Sequence, residues 1–402
     1  MAMVLPDQTP LIPIKGYAWL PDLRRRCHGQ PVRMRVMGRP AVAISGPDAA
    51  RFFYSDGNLE RHDALPHPVV ATLFGRGAVH TLDGRDHEVR KALFVSLLMH
   101  EDGIDTLAKM VGESFDTAAD RWRGGPAVSL FDETAKVLAD AVTRWTGVPG
   151  EARDRAALAA DLVAMVDGFA TLGPRHARAL AARRRQERRL AKIIADVRRE
   201  DRYPSPLSAV AHHRAGGELL DPRTAAVEVL NIIRPTTAVA WFAAFAGHAL
   251  ERWPENRRRL TDDDFALAFV HELRRFYPFA PFLGGQATRD LRFQRVDIPR
   301  GALVLLDVYG QHHDERVWPD PYDFRPERFL HRPVGAFELI PQGGGDPRTG
   351  HRCPGEKITI AVLGTIVQRL ARLEYYMPPQ NLSIDLSRIP ARVHDGPRIV
   401  VP

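Results

Sequence analysis

With 402 residues, 45% of them hydrophobic, the chain can bury a large core. Two cysteines, Cys27 and Cys353, exclude a disulfide framework, and the chain reads as one for a reducing, cytoplasmic interior. The net charge of +7 is diffuse except at Arg183 to Arg189, where helical spacing and an interspersed acid read as a solvated helix face, so no nucleic-acid partner is expected.

In chain order, the first elements are β-like. Val32 to Met37 alternates apolar and basic residues, Gly38-Arg-Pro40 turns, and Ala41 to Ile44 is apolar, which predicts a hairpin. After Asp83-Gly84, His87 and Lys91 stand at i, i+4 on one helix face. Helical periodicity dominates from Glu88 to Leu250, as at Leu107, Met110, Val111 and Phe115. Val163 to Leu172 is a candidate mobile lid, followed by Gly173-Pro-Arg-His176.

Asp221-Pro222 starts a long helix toward Glu251, with proline in its first turn. Pro235 lacks an N–H and clashes with the carbonyl of Asn231, which predicts a kink that re-aims Arg234. The longest apolar stretch, Ala238 to Ala246, is too short to cross a bilayer, and Met1 to Leu20 shows no secretory pattern. A soluble protein with no membrane span is expected. Phe265 to Phe276 is a further helix, closed by Tyr277-Pro278. Strands are expected at Leu291 to Val296 and Leu303 to Val308, a helix at Glu356 to Leu373, and short strands to Pro402. The fold class is mainly α with small β-sheets at both ends of the sequence. No linker or repeat divides residues 1–402, so one domain is expected.

The chemistry concentrates in the run from Ile340 to Glu356, where glycines and prolines lead to Cys353-Pro-Gly355 and a helix follows. A thiolate at a helix N-terminus is favoured by backbone N–H groups and the dipole, and a lone thiolate suits a haem iron. Glu272 and Arg275 share a helix face at i, i+3, and Arg328 of Pro326-Glu-Arg-Phe329 can join them in a charge-assisted network. A buried Arg234 needs an anion. A ligand carboxylate would satisfy it with two parallel hydrogen bonds, and a protein carboxylate is the alternative.

Glu272-x-x-Arg275, Pro326-Glu-Arg-Phe329 and Cys353-Pro-Gly355 resemble, in order and spacing, the cytochrome P-450 superfamily of haem-thiolate enzymes. Where ordinary members carry an acid-alcohol pair in the central helix, this chain has Asn231-Ile-Ile-Arg234-Pro235-Thr-Thr-Ala238. With Gln342-Gly-Gly-Gly345, Leu73-Phe-Gly-x-x-Ala-x-His80 and Asp83-Gly84, it resembles the bacterial fatty-acid peroxygenases over nearly its whole length.

That resemblance implies the cytochrome P-450 fold and haem b, with Cys353 as axial ligand. It implies hydrogen peroxide as oxidant and no obligatory redox partner. Medium- or long-chain fatty acids would be hydroxylated at the α or β carbon, and some decarboxylated to terminal alkenes. Arg234 would bind the carboxylate, Pro235 would shape the helix, and His80 would tune the outcome. His87, Lys91, Arg61, His351 and Arg352 are candidates for the haem propionates, with Arg90 beside Lys91 leaving the donor open. Phe74, Phe279 and Phe282 are candidates for the acyl channel. The loop departs from the superfamily at Asp346 to Thr349, which suggests an insertion. The rival readings are a monooxygenase fed by a redox partner and a non-catalytic haem-based sensor or carrier.

Overall fold

The computed structural model describes residues 6–200 and 203–402. Nine longer helices carry the fold: α1 (Gly84–Leu98), α2 (Glu101–Trp122), α3 (Leu130–Thr146), α4 (Ala152–Asp167), α5 (Pro174–Val197), α6 (Pro222–Thr237), α7 (Val239–Arg252), α8 (Asp263–Phe276) and α9 (Glu356–Arg372). The mainly α expectation holds, and α2, α3, α4, α6, α7 and α9 share one apolar cluster.

The expected small sheets partly merge. Strands β1 (Val32–Val36), β2 (Arg39–Ile44), β3 (Leu59–Glu60), β4 (Phe282–Ala287) and β5 (Leu303–Asp307) form one sheet in the order β1-β2-β5-β4-β3. β5 runs parallel to β2, with Leu303 opposite Ala41. The hairpin turn falls on Met37 and Gly38, both at positive φ, so Arg39 and Pro40 join the strand rather than the turn. The expected strand Leu291 to Val296 is instead a hairpin of Leu291–Phe293 and Val296–Ile298. Gln294 sits at φ 53 in its turn, a conformation that the apolar pattern did not signal. At the C-terminal end, Arg398–Ile399 pairs with Val128–Ser129.

Asp221 caps α6, accepting from the backbone N–H of Arg223 at 2.9 Å, and Pro222 opens the helix. The expected kink is present but displaced. The helix runs through Pro235 and breaks at Ala238 (φ −66, ψ −11), between α6 and α7. Pro235 cannot bond to the Asn231 carbonyl, and the hydroxyls of Thr236 and Thr237 bond to the carbonyls of Ile232 and Ile233 at 3.0 Å each, which loosens the next turn. The stretch Pro222–Arg252 is long and apolar enough to cross a membrane, yet 94% of its most apolar window is buried inside the fold. It is a core helix.

The candidate lid divides. Val163 to Asp167 belongs to α4 with Met165 and Val166 buried, and only the stretch from Gly168 is loop, where Leu172 is 86% exposed. The Arg183 to Arg189 cluster is not wholly solvated either. Arg183 is buried and donates to the carbonyls of Leu73 (2.9 Å) and Phe74 (2.7 Å), which the fold brings against its helix.

Candidate active site

The candidate site is built from two groups of residues, two half-sites. The first is the thiolate loop. Gly343 and Gly345 take positive φ, and a Cβ at Gly343 would strike the Tyr54 hydroxyl at 2.5 Å, so only glycine lets the loop pass. The Cys353 N–H bonds to the Gln342 carbonyl at 2.9 Å, and Gly355 caps α9 directly behind the sulfur. Burial is the largest influence on the Cys353 thiol and pushes it up, against the pull of the Gly355 N–H, Lys91 and Gln342. The helix terminus alone therefore does not hold a thiolate here; a bound metal cation would. Asp346 to Thr349 closes on itself through Gly350 N–H to the Asp346 carbonyl at 3.1 Å, so these residues form a turn.

Behind this loop the three expected charges converge. Arg275 gives Glu272 two bonds of 2.7 Å each, and Arg328 reaches the same carboxylate at 3.2 Å. Arg274 and Arg352 both bond to Glu356, and Arg352 also donates to the Gly345 carbonyl at 3.0 Å. Nε and Nη1 of Arg352 are thus engaged in propping the loop.

A basic pocket lies beside the thiolate. His87 stacks on His351 at 4.0 Å between centroids, His351 lies 3.4 Å from Asp83, and Lys91 donates to the Arg352 carbonyl at 2.5 Å. Arg61 lies over the Phe53 ring at 4.4 Å, buried, with Nη1 lacking any partner. Burial lowers Lys91 to about 8 and His87 to about 4. Arg90 is not in this pocket, since it pairs with Glu228 at 2.6 Å. An orphaned buried guanidinium, a lysine and two histidines around the single carboxylate of Asp83 fit a group with two carboxylates and an iron facing Cys353. The residues present therefore fit a haem.

The second half-site lies on α6. Arg234 is 5% exposed. Its Nη2 donates to Asn231 Oδ1 at 3.3 Å, its Nε has no partner, and its guanidinium lies 5.8 Å from the Phe74 ring. Among the described residues no carboxylate pairs with it, so the expected alternative of an internal acid does not arise. Burial and Arg183 lower its pKa to about 9, against the opposite pull of Cys353. His80 sits in the helical turn Val79–Thr81 and stacks on Phe74 at 4.4 Å, with Nδ1 unpartnered. Burial, then Arg234, His351 and Lys91 hold its pKa well below the usual value, so the ring is neutral.

The apolar candidates separate. Phe74 belongs to this site. Phe279 packs on α7, 5.3 Å from Phe242 and 6.1 Å from Trp241. Phe282 packs edge-on against Trp19 at 5.6 Å, in the layer under the N-terminal helix, and shares no ring contact with Phe74 or Phe279 among the described residues. Glu228 was missed in the sequence, although a single acid inside the apolar run Ala225 to Ile233 was the signal for it.

A cytochrome P-450 family model matches residues 259–379. A variant of cytochrome P-450 OleT in complex with arachidonic acid superposes with a TM-score of 0.95 at 35% identity, covering 99% of this chain and 98% of that one. Cytochrome P-450EX alpha (CYP152N1) with myristic acid gives 0.94 at 31% identity, covering 100% and 99%. Among curated proteins, cytochrome P-450 4e5 of Drosophila mettleri is 30% identical over 156 residues and vinorine hydroxylase of Rauvolfia serpentina 33% over 160. The chain spans only 29% and 31% of the lengths of those two. The solved structures match over the full length at 31% identity or more, and by them the chain belongs to the cytochrome P-450 family, alongside the CYP152 fatty-acid peroxygenases that its motifs resemble.

Proposed function

We propose that the protein is a hydrogen-peroxide-dependent fatty-acid peroxygenase that hydroxylates medium- or long-chain acids at Cα or Cβ and decarboxylates part of them to terminal alkenes. The observation that carries this reading is Arg234, a buried guanidinium with an unpartnered Nε and, among the described residues, no carboxylate partner of its own. The haem, when bound, supplies the iron at which peroxide is split and its oxygen passed on.

The chain's residues do the rest. Arg234 binds the carboxylate, and its two parallel N–H groups fix the acid's orientation, so that Cα and Cβ are the nearest carbons to the reaction. Splitting peroxide unevenly needs a proton moved from one oxygen to the other. Among the described residues no acid pairs with Arg234, and Glu228 is committed to Arg90, so the substrate carboxylate held by Arg234 does this. Phe74 and its neighbours exclude water from the head group. Hydroxylation turns one acid and one peroxide into one hydroxy acid and one water. Decarboxylation gives one alkene, one carbon dioxide and two waters.

Incubation with peroxide and palmitic acid alone, followed by mass spectrometry, should yield hydroxy acids and the alkene one carbon shorter. Turnover only with a reductant and an electron-transfer protein would establish the monooxygenase instead. His80→Gln should leave palmitate affinity within about threefold of wild type, because Arg234 carries the charge contact. It should shift products from alkene toward hydroxy acid; unchanged proportions would remove His80 from the chemistry.

The pH dependence follows from Arg234. A guanidinium lowered to about 9 is charged at neutral pH and loses its proton as pH rises through about 9. Palmitate affinity, followed spectrally, should therefore be flat near neutrality and fall about tenfold per pH unit above about 9. Affinity independent of pH to beyond that point would show that Arg234 stays fully charged.

A further inference from the structure

The polar contacts around Arg234 trace back to one buried carboxylate. Glu228 lies six residues earlier on α6 and is 0% exposed. One of its oxygens accepts from the backbone N–H of Val79 at 2.9 Å and from Arg90 Nη1 at 2.6 Å. The other accepts from Asn231 Nδ2 at 3.1 Å. Val79 immediately precedes His80 in the helical turn Val79–Thr81. Asn231 Nδ2 also donates to the Phe74 carbonyl at 3.0 Å, while Asn231 Oδ1 accepts from Arg234 at 3.3 Å. With two acceptors on its NH₂ side, the amide of Asn231 has one orientation that satisfies it, and that orientation turns oxygen toward Arg234.

We propose that Glu228 is a positioning residue for the carboxylate site, placing His80 through the Val79 N–H and holding the Asn231 amide oxygen toward Arg234. This rests on the fatty-acid reading above and deepens it. Six residues at 3.6 per turn rotate the side chain well off the Arg234 face, and Arg90 neutralises the acid from α1. The carboxylate that could have quenched Arg234 is thereby committed elsewhere, and the guanidinium stays open to substrate. An ion pair that merely fastened α1 to α6 would govern stability and nothing more. A positioning residue governs affinity and product proportions at unchanged fold.

Glu228→Gln keeps the side-chain shape and an acceptor for Val79, but sets an NH₂ against Asn231 Nδ2. Asn231 must then turn over and present its own NH₂ to Arg234. On the haem-loaded protein, calorimetric palmitate affinity should fall about tenfold to a hundredfold. The alkene share should change, and the reduced carbon monoxide spectrum should stay that of wild type. In an Asn231→Ala background the same substitution should change affinity by less than about twofold, since the link is already cut; a full additional loss there would refute the route through Asn231. If Glu228→Gln does not accumulate folded, the pair Arg90→Met with Glu228→Gln replaces the buried ions as a unit, a change that folds tolerate. Wild-type affinity and product proportions in a folded variant of either kind would overturn the proposal. Failure of the unsubstituted protein to bind palmitate would overturn the reading of the site instead.

Discussion

Replacing Arg234 with alanine is expected to abolish fatty-acid turnover while leaving the reduced carbon monoxide spectrum intact. The side chain is buried, and among the described residues its Nε has no partner and its one hydrogen bond is the 3.3 Å contact with Asn231. Its removal therefore costs the fold little. It costs the substrate its only charge-assisted contact, about 2–5 kcal/mol for one partner of a desolvated pair, or roughly thirtyfold to several thousandfold in affinity. The rate falls further than occupancy alone explains, because an unanchored carboxylate no longer stands where it can move the peroxide proton. Arg234→Lys keeps the charge without the planar fork, and should bind palmitate with intermediate affinity and poor regiochemistry. Fatty-acid affinity by spectral titration and product analysis by mass spectrometry separate these losses. Undiminished turnover in Arg234→Ala would end the anchoring mechanism.

Local signals survived translation into structure where one side chain or backbone property decided the outcome. The Asp221-Pro222 helix start, the glycine loop before Cys353 and the Glu272–Arg275 spacing are of this kind. What the sequence hid were partner choices over long separations. Arg352 and Lys91 both read as propionate donors beside the thiolate, and Glu356, one turn from Arg352, engages its Nε. Arg183 sits in what reads as a solvated basic face, yet the carbonyls of Leu73 and Phe74, brought there by the fold, bury it. Phe282 is aromatic and close in sequence to Phe279, but strand alternation in β4 turns it to the Trp19 layer. Glu228 was legible as an unexplained acid in an apolar run; its partners, Val79 and Arg90, were not.

The largest effect on folding is expected at Glu272. Its two oxygens take both bonds from Arg275, one from Arg328 at 3.2 Å and one from the Arg325 N–H at 2.8 Å. Glu272 and Arg275 are each 0% exposed. Arg275 in turn donates to the carbonyls of His312 (2.7 Å) and Pro321 (2.8 Å), so the pair ties α8 to the loop segments that lead to the thiolate. Glu272→Gln puts an NH₂ among guanidinium donors and leaves Arg275 and Arg328 as uncompensated buried or half-buried cations. Breaking one side of such a pair costs about 3–5 kcal/mol, a large part of the roughly 5–15 kcal/mol by which folded domains are stable. The variant should accumulate poorly and unfold at markedly lower denaturant, with haem lost in the same transition. Glu272 touches neither half-site, so whatever fraction folds should bind palmitate as wild type does, opposite to the Arg234→Ala pattern of intact fold and lost substrate. Removal of an exposed pair such as Arg292–Asp297 should cost under about 1 kcal/mol. Equal stability of Glu272→Gln and that control would mean the network behind Cys353 is not what holds the proximal side together.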